Sequence, residues 1–152
     1  MCALMRSEGL NKSSLGAFRP FEVLDVTVSP TAAWSEKQRT ALGQQNLFAQ
    51  DRVMLERTPW MFKYRYRCAE VGCNGHEQSI IDWEIAQAYR RWRSELGSEE
   101  ATIAAIRAKW LGELCAPDRD TVFFAGNMWQ HPTQFLILGV FWPLRGSQRA
   151  LL

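Results

Sequence analysis

Three residues that favour soft or borderline metals fall within nine positions of this chain, as Cys68-x4-Cys73-x2-His76. A zinc ion takes about four N and S ligands in a tetrahedron at roughly 2.0–2.3 Å, so its ligands must converge from different directions. A strand end, a glycine-bearing loop and a helix start supply that convergence. The spacing therefore predicts a zinc site at Cys68, Cys73 and His76, with Gly72 and Asn74-Gly75 as the irregular backbone that wraps the ion.

The fourth ligand has to return from elsewhere. From about His76 the apolar period becomes helical: Ile81, Ile85, Ala88, Tyr89 and Trp92 form one stripe, and Ile103, Ile106, Trp110 and Leu114 form a second. Gly97 breaks the first helix. Ser98 caps the second, whose first turn carries Glu99 and Glu100 where the helix dipole favours acids. Helices over residues 77–93 and 99–114 each span roughly 25 Å at about 1.5 Å per residue. Joined by a Gly-Ser turn they pack antiparallel, which brings the end of the second beside His76. Cys115 is therefore the expected fourth ligand, with His131 as the alternative. Cys2 is set aside, because residues 1–17 carry Asn11-Lys12-Ser13-Ser14 without periodic apolar positions and predict a flexible lead-in. Three thiolates and an imidazole close the coordination sphere, and a closed sphere predicts a structural zinc rather than a catalytic one.

The flanking segments supply the rest of the fold. Phe21 to Val28 predicts a strand, and Ser35-Glu36-Lys37-Gln38 is a capping box that opens a helix from about Glu36 to Gln45. Leu47-Phe48 tucks the end of that helix into the core. Met61 to Cys68 alternates, with Phe62, Tyr64, Tyr66 and Cys68 on one face and Lys63, Arg65 and Arg67 on the other. Thr121 to Ala125 and Phe135 to Trp142 predict an antiparallel strand pair. The expected fold is α+β: an antiparallel sheet of about four strands with an antiparallel helix pair, stabilised by zinc. It occupies residues 18–143 as a single domain, between the lead-in at 1–17 and a basic tail at 144–152.

Several function classes are set aside by composition. No stretch approaches the roughly 20 apolar residues of a membrane-spanning helix, and no apolar run of a secretory signal opens the chain. A cytoplasmic protein is expected, where clustered cysteines bind metal more often than they form disulfides. A formal charge of +2 supplies no strong overall field, so any attraction for DNA or RNA must come from local clusters.

Three such functions are weighed. Lys63, Arg65 and Arg67 on one strand face, with Arg90, Arg91 and Arg93 on the first helix, form the candidate nucleic-acid surface. A metal-dependent hydrolase is the less favoured reading. Glu77 follows His76 as the proton-moving Glu follows a ligating His in zinc deaminases, but no P-C-x-x-C follows, and Asp82 and Glu84 do not share a helix face. The third is a protein-interaction domain of a larger assembly, presenting Trp129 and the run Phe141-Trp142-Pro143. Gly126-Asn127 predicts a turn.

The run Phe62 to Cys68, then Cys73-Asn74-Gly75-His76-Glu77, Asp82-Trp83-Glu84-Ile85, Phe123-Phe124-Ala125-Gly126-Asn127 and Leu138 to Pro143, resembles the C-terminal part of a family of longer uncharacterised bacterial proteins. The likeness extends from about Leu15 to Pro143. It implies a domain preceded in those proteins by another, so that this chain resembles a shortened form of them. It carries no established activity.

Overall fold

The structure, a computed structural model, describes Cys2 and residues 15–44, 57–128 and 130–146, the side chains of residues 41–44 excepted. Leu47, Phe48 and Trp129, residues 3–14 of the expected lead-in and residues 147–152 of the expected tail lie outside the described residues.

Six strands and three α-helices are described. In chain order they are β1 (Leu15–Phe18), β2 (Glu22–Pro30), α1 (Glu36–Gln44), β3 (Trp60–Arg67), β4 (His76–Ser79), α2 (Trp83–Leu96), α3 (Glu99–Arg107), β5 (Val122–Met128) and β6 (His131–Phe141). A six-residue π-helical stretch, Ala108–Glu113, continues α3. The α+β class holds, but the expected single sheet of four strands is corrected to two antiparallel sheets of three, ordered β1-β5-β6 and β2-β3-β4. Their junction is a parallel bridge between Ile80 and Ile137, where the Ile81 amide donates to the Ile137 carbonyl at 2.8 Å.

Two segments account for the difference. Leu15–Phe18, whose first three residues fall in the expected lead-in, pairs with β5 in the register Leu15↔Gly126 to Phe18↔Phe123. His76–Ser79, expected to open a helix, pairs instead with β3 in the register Tyr66↔His76 and Tyr64↔Gln78. Alternation decides this second case. Gln78 faces the core, where its Oε1 accepts from the Tyr66 hydroxyl at 2.6 Å, while Glu77 faces outward to Lys63 at 3.0 Å. The strand thus buries Gln78 with its amide oxygen satisfied by a neighbouring-strand partner, as a buried polar group requires. The helix waits for Asp82, whose side chain accepts from the Glu84 amide as N-cap.

Other local signals are realised as the sequence indicates. Ser35 and Gln38 close the capping box, Gln38 Oε1 accepting from the Ser35 amide at 2.9 Å and Ser35 Oγ from the Gln38 amide at 3.3 Å. Gly97 ends α2 in the left-handed conformation, and Ser98 Oγ caps α3 through the Ala101 amide. Phe62, Tyr64, Tyr66 and Cys68 are all buried, as the alternation of β3 requires. Tyr64 stacks on Phe123 with ring centroids 4.5 Å apart, Tyr66 meets Phe123 edge-on, and Phe18 packs against both Tyr66 and Phe123. Rings at these separations add about 0.5–1.5 kcal/mol per pair beyond the area they bury. Aromatic rings from both sheets thus form the centre of the core, and Ile106, Trp110 and Leu114 cover it from the helical side.

Candidate metal centre

The antiparallel pairing of β3 with β4 sets His76 across from Tyr66, two residues before Cys68. The connection between the strands then has to double back within eight residues, 68 to 75. Gly72 and Gly75 make this possible with φ of 81° and 102°, a region that side chains rarely adopt. The turn also places backbone amides on sulfur: Cys73 Sγ accepts from the Gly75 amide at 3.4 Å, and Cys68 Sγ accepts from the amides of Glu70 and Cys2. Amides aimed at sulfur favour thiolate and orient it toward a cation, the role outer-shell groups play around metals.

Cys68, Cys73 and His76 come together as their spacing predicts, and the fourth member of the cluster is Cys2. The ligand atoms of Cys2, Cys68, Cys73 and His76 all lie within 4.8 Å of one another. His76 Nε2 stands 3.2 Å from Cys2 Sγ, 3.4 Å from Cys73 Sγ and 3.4 Å from Cys68 Sγ, and the sulfurs of Cys2 and Cys68 are 3.5 Å apart. An ion at zinc–ligand distances would hold such atoms roughly 3.5–3.8 Å apart along the edges of a tetrahedron. The cluster is close to that size. It is seated on the core: the Tyr66 ring lies 5.1 Å from the His76 imidazole.

The thiols are electrostatically unequal. Burial opposes ionisation of Cys68, but hydrogen bonds from His76, from the two amides and from Cys2 outweigh it and bring the thiol down to about 5. Burial, followed by hydrogen bonding and repulsion from Cys68 and Cys73, pushes Cys2 up to about 12. Crowded sulfurs hinder one another's ionisation, and a bound cation relieves that repulsion.

The expectation that Cys115 closes the set is corrected. The end of the helical pair would lie beside His76 only if its first helix began there, but His76 is in β4 and α2 starts at Trp83. The chain near the end of the helical pair therefore meets Trp83 rather than the cluster: Lys109 and Trp110 share a cleft with Trp83. Cys115 instead donates to the Trp110 carbonyl at 3.3 Å and lies 4.0 Å from the Tyr64 hydroxyl, and burial raises its thiol to about 11. The alternative, His131, is exposed at the start of β6 and is likewise outside the cluster. The polar, aperiodic composition of the expected lead-in gives no sign of Cys2 as a ligand. The contact of Cys2 with Cys68 spans 66 residues, so no pattern near residue 2 marks it.

Of the six cations of the candidate nucleic-acid surface, three form ion pairs with acids. Lys63 pairs with Glu77 at 3.0 Å, Arg67 with Glu22 at 3.4 Å and Arg91 with Glu95 at 2.7 Å. Arg65 stands between Asp25 and Glu77 in the strand register. Arg90 and Arg93 lie on α2, half-buried and exposed respectively. The outer face of the β2-β3-β4 sheet is thus a ladder of alternating charge, without a positive stripe. Asn127, expected in a turn, is inside β5, where its amide donates to the Pro132 carbonyl at 3.0 Å.

Among the described residues no helix is long and apolar enough to cross a membrane. The model of a family described as "Domain of unknown function (DUF8757)" matches residues 1–152, a span that includes Cys2. No curated protein and no solved structure matches the chain.

Proposed function

We propose that this chain, which belongs to the family described as a domain of unknown function (DUF8757), is a zinc-stabilised binding module. Its zinc is structural and is held by Cys2, Cys68, Cys73 and His76. The observation that carries the reading is the convergence of four ligand atoms within 4.8 Å, three from one β-hairpin in the middle of the sequence and one from near its start. Three sulfurs with one imidazole suit zinc better than the oxygen-preferring Mg²⁺ or Ca²⁺. Bound there, the ion ties residue 2 to the β3–β4 hairpin, 66 residues away along the chain.

A structural role follows from the same donor set. Four protein ligands complete a tetrahedron and leave no position for water. Glu77, the residue that would move a proton in a hydrolase, is turned to the opposite side of β4 and paired with Lys63. Elemental analysis of the purified full chain tests the reading. About one equivalent of zinc is expected, and its removal by a chelator should unfold the hairpin. Folded protein with less than about half an equivalent would reject it.

The partner favoured by the surface is a protein. Leu15, Phe124, Leu138 and Phe141 are exposed apolar residues of the β1-β5-β6 sheet, whereas the other sheet carries the charge ladder. Fluorescence anisotropy with a labelled single-stranded oligonucleotide separates this from nucleic-acid recognition. Binding that falls steeply with salt, and flattens in Arg65→Ala/Arg67→Ala, would replace a protein partner with nucleic acid.

A further inference from the structure

Resting on the zinc centre just described, we propose that Cys2 and Cys68 are a site of reversible oxidative modification, joined into a disulfide by peroxide with release of the ion. Their sulfurs are 3.5 Å apart, and a disulfide requires approach to about 2.05 Å. Cys2 is the half-buried member of the pair, open to a small oxidant, while Cys68 is buried on the end of β3. The geometry also separates the two by how they are held. Cys68, Cys73 and His76 share one hairpin, so their mutual positions are fixed by the β3–β4 register. Cys2 enters from a different part of the sequence and can close on Cys68 without disturbing that register.

The chemistry balances with a hydroperoxide as the oxidant. The Cys2 sulfur, a thiolate in the form of the cluster that would hold the ion, attacks one peroxide oxygen; an S–O bond forms, the O–O bond breaks and hydroxide leaves. The sulfur has lost two electrons and the peroxide has gained them. The Cys68 thiolate then attacks the Cys2 sulfur; the S–S bond forms, the S–O bond breaks and a second hydroxide leaves. Both hydroxides take protons from solvent. The ion loses two of its four ligands and dissociates. A thiol reductant reverses the sequence by exchange, restoring both thiolates and with them the site. Cys115 takes no part, because it is held against the Trp110 carbonyl and the Tyr64 hydroxyl outside the cluster.

The test uses the purified full chain, its zinc content measured first. Hydrogen peroxide is then added in the presence of a chromogenic zinc chelator, and the product is mapped by mass spectrometry without reduction. Zinc release in step with the loss of two hydrogens, a peptide linking Cys2 to Cys68, and recovery of zinc binding after reduction are expected. Cys115→Ser should react at the same rate as the parent. A dominant Cys68–Cys73 or Cys2–Cys73 link, or oxidation of single cysteines to sulfinic acid, overturns the pairing. Zinc that stays bound under peroxide overturns the release. Failure of the zinc reading itself is distinguishable: the ion is then absent before peroxide is added, and a Cys2–Cys68 link formed in that metal-free protein would still establish the modification site.

Discussion

The Tyr64 hydroxyl donates to the carbonyl of Trp110 at 2.8 Å, 46 residues along the chain. That carbonyl is available because the helix is wound as a π-helix there. The Leu114 amide bonds to the Lys109 carbonyl at 2.9 Å, five residues back, and passes over the Trp110 carbonyl that an α-helical turn would have used. Tyr64 and Cys115 share the acceptor so released. Tyr64→Phe keeps the ring stacked on Phe123 and removes only the hydroxyl. A loss of about 0.5–1.5 kcal/mol is expected, the net worth of one hydrogen bond, because the Cys115 thiol still donates to the carbonyl. Urea denaturation measures it, and a change under about 0.5 kcal/mol would show that the bond does not hold the helix to the sheet.

The same arrangement makes Cys115 inert. Burial raises its thiol from the ordinary 9.0 to about 11. Fold stability gains from this shift while the thiol is neutral in both states, and loses it as the unfolded chain ionises first. The contribution is therefore complete below pH 9.0, and disappears as pH rises to about 11. Cys115→Ala should flatten that part of the stability profile relative to the parent. At pH near 8, iodoacetamide should modify Cys115 in the folded protein on the order of 100-fold more slowly than in the unfolded chain, because the thiolate fraction is lower by that factor. Equal rates would contradict the burial of this thiol.

Much of this was legible in the residues themselves. The alternation of Phe62, Tyr64, Tyr66 and Cys68 predicted which face of β3 is buried, and Ser35, Gly97 and Ser98 marked helix ends by capping chemistry that acts over a few residues. His76 and Gln78 were harder. Four residues fit a first helical turn and a short strand equally well, and only the partner strand, whose Tyr66 hydroxyl donates to Gln78, separates them. The placement of Cys2 had still less local signal. Its position depends on a contact with Cys68 across 66 residues, which composition near residue 2 cannot report. One short element decides the outcome: a helix opening at His76 would bring Cys115 beside it, and a strand there does not.

Gly126 gives a test of the strand that the lead-in conceals. A methyl group on Gly126 would come within 2.8 Å of Leu15 Cδ2 and 2.9 Å of Leu138 Cδ1. Both atoms end flexible side chains on an open sheet face, so the backbone need not move. Gly126→Ala should displace the two leucines from their rotamers at a cost of about 0.5–1.5 kcal/mol, and should speed hydrogen exchange of the β1 amides paired with β5. Unchanged exchange at Leu15 to Phe18 would mean that β1 is held without the cover of Leu15 over Gly126.

The two cysteines that compete for the fourth ligand position predict opposite outcomes for conservative substitutions. Cys2→Ser removes a sulfur from the cluster that also contains Cys68, Cys73 and His76. Changing only the outer shell of a metal site typically costs about 10–100-fold in affinity, so loss of a ligand should cost more than about 100-fold and leave the protein zinc-poor after dialysis against a weak chelator. Cys115→Ser replaces a thiol that donates to the Trp110 carbonyl with a hydroxyl that can do the same, and should keep about one equivalent of zinc. The contrast is diagnostic because both proteins retain three cysteines and both histidines. Zinc lost from the Cys115 variant but kept in the Cys2 variant would move the site to the end of the helical pair. Cobalt substitution adds a second readout: the parent and Cys115→Ser should give the strong absorption of tetrahedral sulfur-rich coordination, weakened in Cys2→Ser as one thiolate is removed.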